Sequence, residues 1–380
     1  MIEKRPYQIC NRCVMDTSDS KITFNSNGIC DHCIDFETDV KTKWFPNEEG
    51  KKRLQRTVAK IKKDGRNRDF DCILGMSGGV DSSYMLHLSV KELGLRPLVF
   101  HVDVGWNSEQ SVKNIQVMID KLGLDLFTNV INWEEMKDLQ LAFFKSGVPH
   151  IDIPQDHAYM ASLFNFANEN NIKYILNGGN VSTECVRNPM EWIYYGTDML
   201  HINDIINKFG KNKMETFPFS PIFKHKLYLR YFKGLRMIRP LDNMNYNKNL
   251  ATSVLEKEYG WKPYPQKHFE SRFTKFYEGY WLPERFGFDT RRVQFSSLIL
   301  TNQLTREEAI EELKKPSFNE QKIDEEFDYI ATKLGISSEK LREYFNAPKK
   351  FYWDYKNQQA LFNLGAKVLK ILGVEKSIKR

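Results

Sequence analysis

The stretch Phe70-Asp71-Cys72-Ile73-Leu74-Gly75-Met76-Ser77-Gly78-Gly79-Val80-Asp81-Ser82-Ser83 constrains this chain more than any other. An apolar run (Ile73, Leu74, Met76) stops at two adjacent glycines, and a helical pattern follows at once. Tyr84, Met85, Leu88 and Leu93 supply the apolar positions of that helix, and Gly94 ends it. A buried strand, a glycine turn and a helix that starts with free N–H groups form an anion site by construction. The two glycines let the backbone approach a polyanion with no Cβ in the way. Ser77, Ser82 and Ser83 add hydroxyl donors around the same cradle. No Gly-Lys-Ser/Thr follows at the spacing of the P-loop, and the dinucleotide spacing G-x-G-x-x-G is missing.

Downstream the pattern alternates strand and helix. Residues 96–103 read as a second strand with its helix over 108–122, and 126–131 as a third strand. A helix over 158–168 precedes a fourth strand over 173–179, and 235–240 reads as the fifth. That rhythm predicts an α/β fold, a parallel sheet with helices on both faces. Ligands in such sheets lie beyond the strand C-termini, so Ser77, Asp103, Asn177 and Gly178-Gly179 carry weight. Asp103 reads equally as a helix cap or turn residue. Gly178 to Cys185 forms a second glycine turn at a strand end, with Glu184 as the candidate carboxylate facing substrate or magnesium; a loop-structural role is the alternative. Between 186 and 234 the chain is aromatic and irregular (Trp192, Tyr194, Tyr195, Phe217, Phe219), the pattern of an inserted substrate lid.

The first 45 residues carry Cys10-Asn11-Arg12-Cys13 and Cys30-Asp31-His32-Cys33. Two C-x2-C knuckles at this separation are what four thiolates need to close one tetrahedral zinc site. The segment is too short to build a core alone, so the metal would supply its folding energy. Four thiolates leave no open position for a catalytic water, which makes the site structural. An iron–sulfur cluster and a redox pair are the rival readings. His32 would enter the shell only by displacing a cysteine.

Residues 47–68 read as a charged helical connector with Leu54, Val58 and Ile61 on one face. The expected division is a four-cysteine ribbon over 1–45, the strand–helix domain over 46–265 and a helical region over 266–380. In the last region, residues 267–277 mix charge and aromatics, and Arg285, Arg291 and Arg292 sit around Gly287. Grouped arginines suit a diphosphate or carboxylate through bidentate donors. Surface ion pairs with Glu270, Glu284 and Asp289 are the alternative. Thr305 and Glu308 have the spacing of a helix capping box. From Gln358 to Arg380 the pattern is an amphipathic basic helix, with Leu361, Leu364, Val368, Leu369 and Leu372 facing the body rather than a membrane.

No apolar run approaches the roughly 20 residues of a membrane span, and the first residues hold no signal-peptide core, so the expected location is the cytoplasm. In that compartment six cysteines point to metal or free thiols rather than disulfides. The formal charge of +7 suits a phosphate-bearing substrate and is too small to imply nucleic acid.

Ser77-Gly78-Gly79-Val80-Asp81-Ser82 resembles the PP-loop of the ATP pyrophosphatase group, which includes GMP synthetase, asparagine synthetase and tRNA-thiolating enzymes. Members cleave ATP between the α and β phosphates. The resemblance implies an adenine nucleotide alpha hydrolase-like fold with ATP and Mg2+ held at Ser77, Gly78, Gly79, Val80, Asp81, Ser82 and Gly178, and adenine or ribose near Asp103. With the four-cysteine ribbon and the 267–309 block (Glu-Ser-Arg-Phe-Thr, Leu-Pro-x-x-Phe-Gly, Arg-Arg, Leu-Thr-Arg-x-Glu-Ala), the chain resembles the N-acetyl sugar amidotransferases of bacterial O-antigen and pseudaminic-acid-type pathways.

That resemblance implies conversion of an acetamido group on a nucleotide-linked sugar, of the UDP-diacetamido sugar acid type, to an acetamidino group. ATP would activate the amide oxygen as an O-adenylyl imidate, with Ser77, Asp81 and Glu184 in catalytic roles and Arg285, Arg291 and Arg292 on the substrate. Cys10, Cys13, Cys30 and Cys33 would hold Zn2+. Cys185 shows no His and acidic partner in sequence, and Cys72 lies in a strand. The resemblance implies that ammonia comes from a separate glutaminase, paired with a barrel-type subunit like those of histidine biosynthesis. The rival is a PP-loop tRNA-thiolating enzyme, which needs a further cysteine pair near the ATP site. A nucleotide-sensing subunit without catalysis is the alternative from another class.

Overall fold

Cys72–Gly75 forms β1, and everything else is arranged on its two faces and at its C-terminal end. In the computed structural model, which describes residues 5–222 and 224–371, β1 pairs in parallel with β2 (Pro97–Asp103) on one side and β4 (Tyr174–Leu176) on the other. β3 (Leu126–Val130) and β5 (Arg236–Ile238) complete a five-stranded parallel sheet in the order β3-β2-β1-β4-β5. This is the expected α/β fold, and each expected strand is present. The order reverses between β1 and β4, which puts the ligand-binding crevice of such a sheet at the Ser77–Ser83 loop.

The alternation along the strands divides the core. Cys72 and Leu74 of β1 and Val99 of β2 point to one face, where they meet Leu54, Val58 and Ile61 of α1 (Glu48–Gly65). The same face is covered by α2 (Val80–His87), α3 (Glu109–Leu122) and, further along the chain, the helix Lys248–Tyr259. Ile73, Leu98, Phe100 and Val102 point to the other face. There they join one continuous buried cluster that includes α4 (Trp133–Ser146), α5 (Ile153–Glu169), the four ribbon cysteines and the C-terminal aromatics Phe273, Phe276, Trp281 and Phe327. The ribbon and the helical C-terminal region are therefore built into the sheet's own core. Thr305 and Glu308 make both bonds of the capping box at the start of Arg306–Lys314.

Two expectations change. The aromatic stretch is a packed wall over 192–217 rather than a lid, while Tyr228, Tyr231 and Phe232 further along are exposed. Trp192, Tyr194 and Phe217 are buried, and Met199–Phe209 is a helix (α6) packed on α4. The ring of Trp192 stacks on Phe288 at 5.2 Å and its indole N–H donates to the Ser18 carbonyl. Large apolar rings fixed from both sides do not swing open. The C-terminal helix runs from Gln359 to Ile371, and Leu361, Leu364 and Val368 are exposed on it instead of facing the body. Phe362 is the ring that reaches back, to Tyr195. Leu372 and the residues after it, like the first four, lie outside the described residues. No helix among the described residues is long and apolar enough to cross a membrane.

Because Trp192 joins the ribbon to the cleft wall, Trp192→Ala should cost about 3–5 kcal/mol of unfolding free energy in urea titration. A loss below about 1 kcal/mol would show that the wall is not anchored there.

Candidate active site

The loop after β1 leaves the sheet with Gly78 at φ +84°, a left-handed conformation. A Cβ there would meet the Ser111 carbonyl at 2.9 Å. Only glycine fits both demands. The Gly78 carbonyl accepts from the Trp261 indole at 3.1 Å and the Tyr264 hydroxyl at 3.2 Å, and His101 Nδ1 bonds the Met76 carbonyl at 2.8 Å. Ser77 and Ser82 face each other with hydroxyl oxygens 3.1 Å apart, and Gly79 N–H donates to Ser77 Oγ at 3.3 Å. Gly178, at the end of β4, approaches so closely that its Cβ would lie 2.9 Å from the Asp81 carbonyl carbon and oxygen. The two glycine turns named in the sequence thus stand against one another.

The C-terminal region closes the site. Residues 270–272 dock on the turn after β2: Ser108 N–H donates to the Glu270 carbonyl at 2.9 Å, and Arg272 N–H to the Trp106 carbonyl at 2.8 Å. That docking puts the Glu270 side chain over the loop, where it accepts from Ser77 Oγ at 3.3 Å and would clash at 2.6 Å with a Cβ on Gly79. Three residues earlier, Lys267 Nζ lies 2.6 Å from Glu184 Oε1 and 3.1 Å from Asp81 Oδ2. Asp81 also accepts from the Tyr246 hydroxyl at 2.6 Å. Burial alone pushes the Asp81 carboxyl up; Lys267, the Tyr246 hydroxyl and Lys248 outweigh it and hold the group below the usual carboxylate range. Burial likewise opposes the charge on Lys267, yet the two carboxylates raise its pKa and keep it protonated.

His268 takes φ +67°, a conformation rare outside glycine, and its Nδ1 lies 2.9 Å from Glu278 Oε1. Burial lowers its pKa but the Glu278 carboxylate more than offsets this, and the imidazole is pushed up to about 9. The same residue lines three adjoining cavities. The first, about 270 Å3, lies over the loop and is walled by Ser77, Gly79, Ser82, Lys248, Lys267 and Glu270. The second, about 360 Å3, runs along Glu184, Arg187, Asn188, Tyr195 and Gln294. The third, about 420 Å3, extends behind Gly75 and Met76 past the ends of β1 and β2. His268 thus stands where the three meet, with Lys267 on the first and second and Glu270 on the first and third.

The residues singled out in the sequence divide accordingly. Ser77, Gly78, Gly79, Val80, Asp81, Ser82, Gly178 and Glu184 are brought together at the first cavity. Asp103 is occupied by its own turn, accepting from Gly105 N–H at 2.8 Å and the Asn107 amide at 3.1 Å. The three arginines serve the chain itself. Arg285 donates to the Ala347 carbonyl, and Arg291 forks onto Asp289 and reaches the Lys315 carbonyl. Arg292 holds the Val14 carbonyl at 2.9 Å and Asp16 at 3.1 Å. Arg285 and Arg292 thus donate mainly to backbone carbonyls, and Arg291 mainly to the Asp289 carboxylate. Lys248, Lys267 and His268 carry no site assignment in the sequence, and Glu270 reads there only as a surface ion-pair partner. The juxtaposed charges of Lys267-His268-Phe269-Glu270 were the only signal, and only the docking of 270–272 on the β2 turn aims them at the loop.

Cys10, Cys13, Cys30 and Cys33 converge as a buried metal-binding group, with neighbouring sulfurs 3.6–3.8 Å apart. Four Zn–S bonds of about 2.3 Å span a tetrahedron with an edge of about 3.8 Å, so the donor set fits one ion. Backbone N–H groups of Cys30 and Met15 point at Cys10 and Cys13 sulfurs. His32 pairs with Asp19 at 2.9 Å, outside the shell. Arg306 clamps the carbonyls of Cys10 and Cys13 from the C-terminal side.

Residues 270–369 match the family described as LPS biosynthesis protein WbpG-like, C-terminal domain. No curated protein matches the chain. Among solved structures, the chain is similar to the U34-tRNA thiolase NcsA from Methanococcus maripaludis with its 4Fe–4S cluster, at 12% identity and a TM-score of 0.30, covering 69% of this chain and 75% of that one. It is similar also to the NH3-dependent NAD synthetase from Campylobacter jejuni in complex with the nitrate ion, at 16% identity and a TM-score of 0.29, covering 71% and 99%. The NAD+ synthetase from Burkholderia pseudomallei gives 12% identity and a TM-score of 0.29 over 59% and 96%.

Purified protein should contain about one zinc per chain by metal analysis, and Cys10→Ser or Cys33→Ser should give poorly folded protein by circular dichroism. An iron chromophore would replace the zinc assignment. The His268–Glu278 pair should show in stability against pH. A raised histidine pKa contributes stability that is complete below the unfolded value of about 6.5 and lost as pH rises through the folded value. The stability difference between wild type and His268→Gln should therefore shrink between about pH 6.5 and 9 in denaturant titrations, and a difference constant over that window would refute the pair.

Proposed function

We propose that the protein is an ATP-dependent, AMP- and pyrophosphate-forming amidotransferase. It converts an acetamido group of a nucleotide-linked sugar, of the UDP-diacetamido sugar acid type, to an acetamidino group, using ammonia from a partner glutaminase with its barrel-type subunit. The observation that carries this reading is the joint between the phosphate cradle and the C-terminal region. Glu270, the first residue of the stretch that matches the LPS biosynthesis family, bonds Ser77 of the loop. The catalytic cleft is thus completed by the very region whose relatives build lipopolysaccharide.

An amide carbonyl is a poor electrophile. Its oxygen attacks the α phosphorus of ATP, the bond to the bridging oxygen breaks, and pyrophosphate leaves. The N–H groups at the start of α2, Lys248 and Lys267 supply positive potential where that charge develops. Glu270 and Glu184, two carboxylates that line the cavity, would hold a magnesium ion, which would supply Lewis-acid charge to the leaving group. Asp81 is read as a positioning residue, since Tyr246 and Lys267 occupy its oxygens. The cavity along Arg187, Asn188 and Tyr195 takes the sugar nucleotide. Thiolation is disfavoured by the two remaining cysteines. Cys185 is turned to the Ser297 carbonyl with its thiol pushed up to about 12 by burial, and Cys72 is sealed in β1 with its thiol pushed up for the same reason.

The test supplies pure protein with ATP, magnesium and UDP-linked diacetamido sugar acid, giving ammonium or glutamine separately. Amidine, AMP and pyrophosphate should form together with ammonium, and none with glutamine until the glutaminase and its barrel subunit are added. Ser77→Ala and Asp81→Ala should each lower turnover by about a hundredfold or more. Release of ADP and phosphate, or consumption of ATP with tRNA and no amidine, would overturn the assignment.

A further inference from the structure

The cavity behind the loop ends in a chamber of opposite polarity to the phosphate cradle. Asp152 and Asp156 stand at its wall with His150, Tyr159 and Tyr277, and among the described residues no lysine or arginine lines it. Asp152 is 4% exposed, and its carboxylate accepts from the Thr274 hydroxyl at 2.7 Å and from the Gln155 amide. Both donors are neutral. The three histidines on the cavity are engaged elsewhere: His150 Nε2 lies 3.3 Å from Asp156 and its Nδ1 bonds the Tyr194 carbonyl, His101 Nδ1 bonds the Met76 carbonyl, and His268 Nδ1 pairs with Glu278. Tyr277, 1% exposed and stacked on His150, has a buried hydroxyl with no hydrogen-bond partner although it lines the cavity. A buried carboxylate with only neutral partners and an open phenol oxygen together lack one thing, a small cation that carries several N–H donors.

We infer that this chamber is the ammonium site, in which Asp152, Asp156 and Tyr277 hold NH4+ and Asp152 removes the proton that makes it a nucleophile. The inference rests on the amidotransferase reading. Ammonium has no lone pair to attack with, so one N–H bond must break, its proton passing to Asp152 and its electron pair staying on nitrogen. That pair forms the new C–N bond at the imidate carbon. The C–O bond then breaks with its electrons going to AMP, and a second proton passes from the new nitrogen to the sugar-side imidate nitrogen, giving the amidinium product. Burial, then the Asp156 charge, pushes the Asp152 carboxyl up to about 7, which suits proton removal near neutral pH. The same two causes, with Asp152 in place of Asp156, raise the Tyr277 pKa well above its ordinary value, so the phenol stays neutral and offers its oxygen.

Amidine formation measured against ammonium tests the site. Asp152→Asn should raise the ammonium concentration for half-maximal rate about tenfold or more, with the KM for ATP changed no more than about twofold. Tyr277→Phe removes a hydroxyl without a partner, so it should leave the melting temperature unchanged and still raise half-saturation by ammonium. A matching rise in the KM for ATP or for the sugar would make the chamber part of those sites and overturn the inference. So would activation, rather than competition with ammonium, by potassium. Rubidium is close to ammonium in size and reads the site without turnover. Wild-type crystals in rubidium chloride should show an anomalous peak beside Asp152 that Asp152→Asn lacks. No peak, or a manganese peak in its place, overturns the ammonium site. A rubidium peak in a protein that makes no amidine leaves the cation site standing and brings down the amidotransferase reading instead.

Discussion

The cleft depends on one ammonium group. Lys267 reaches from the C-terminal region to Asp81 at the start of α2 and Glu184 in the turn after β4, the two elements that flank the reversal in strand order. Gly178 lets those elements approach within van der Waals contact, which brings two carboxylates toward each other. Without a cation between them, burial and mutual repulsion would protonate one or push the turns apart. Removing one partner from such a buried group typically costs about 3–5 kcal/mol, far more than a surface pair is worth. The lysine thus permits the close packing of the loop and ties it to the region that covers it.

Polarity then separates the ends of the cleft. The loop end presents helix N–H groups, Lys248 and Lys267, and burial lowers the pKa of Lys248 without removing it from the cavity wall. The chamber end presents Asp152 and Asp156. His268, its pKa raised by its contact with Glu278, stands between them and touches all three cavities. A polyanion and a small cation would each find its own pole. The shape of the site and its electrostatics make the same division.

What was readable in the sequence was local. The Ser77–Ser83 loop needs a strand, two glycines and a helix start within a dozen residues, and the ribbon needs four cysteines at knuckle spacing; both patterns stand in the chain without help from distant residues. The strands were readable for the same reason. Lys267, His268 and Glu270 were not, because nothing in their own neighbourhood says which way they face. Their direction comes from backbone bonds between 270–272 and the turn after β2, more than 150 residues away in sequence. Nor does any propensity announce His268 in the left-handed region, a conformation fixed by its pair with Glu278. The arginines misled in the opposite direction. A cluster of guanidinium groups beside a glycine turn reads as an anion site, but Arg285 and Arg292 are held by backbone carbonyls and Arg291 by its neighbour Asp289.

Those arginines show what the ribbon is for. Arg292 and Arg306 hold carbonyls of residues 10–14 from Arg291–Leu300 and Arg306–Lys314, and Val14 N–H donates to Ser296 Oγ at 3.2 Å. On its other side the ribbon holds the cleft wall, with Ser20 on Glu191 and the Ser18 carbonyl on Trp192. The four sulfurs are thus the fixed point between a helix and a loop that both line the second cavity, through Val293 and Gln294 on one side and Arg187 to Ile193 on the other. A segment this short has no core of its own to keep that spacing. The four-cysteine group is thus joined to both walls of the cavity while none of its sulfurs lines it.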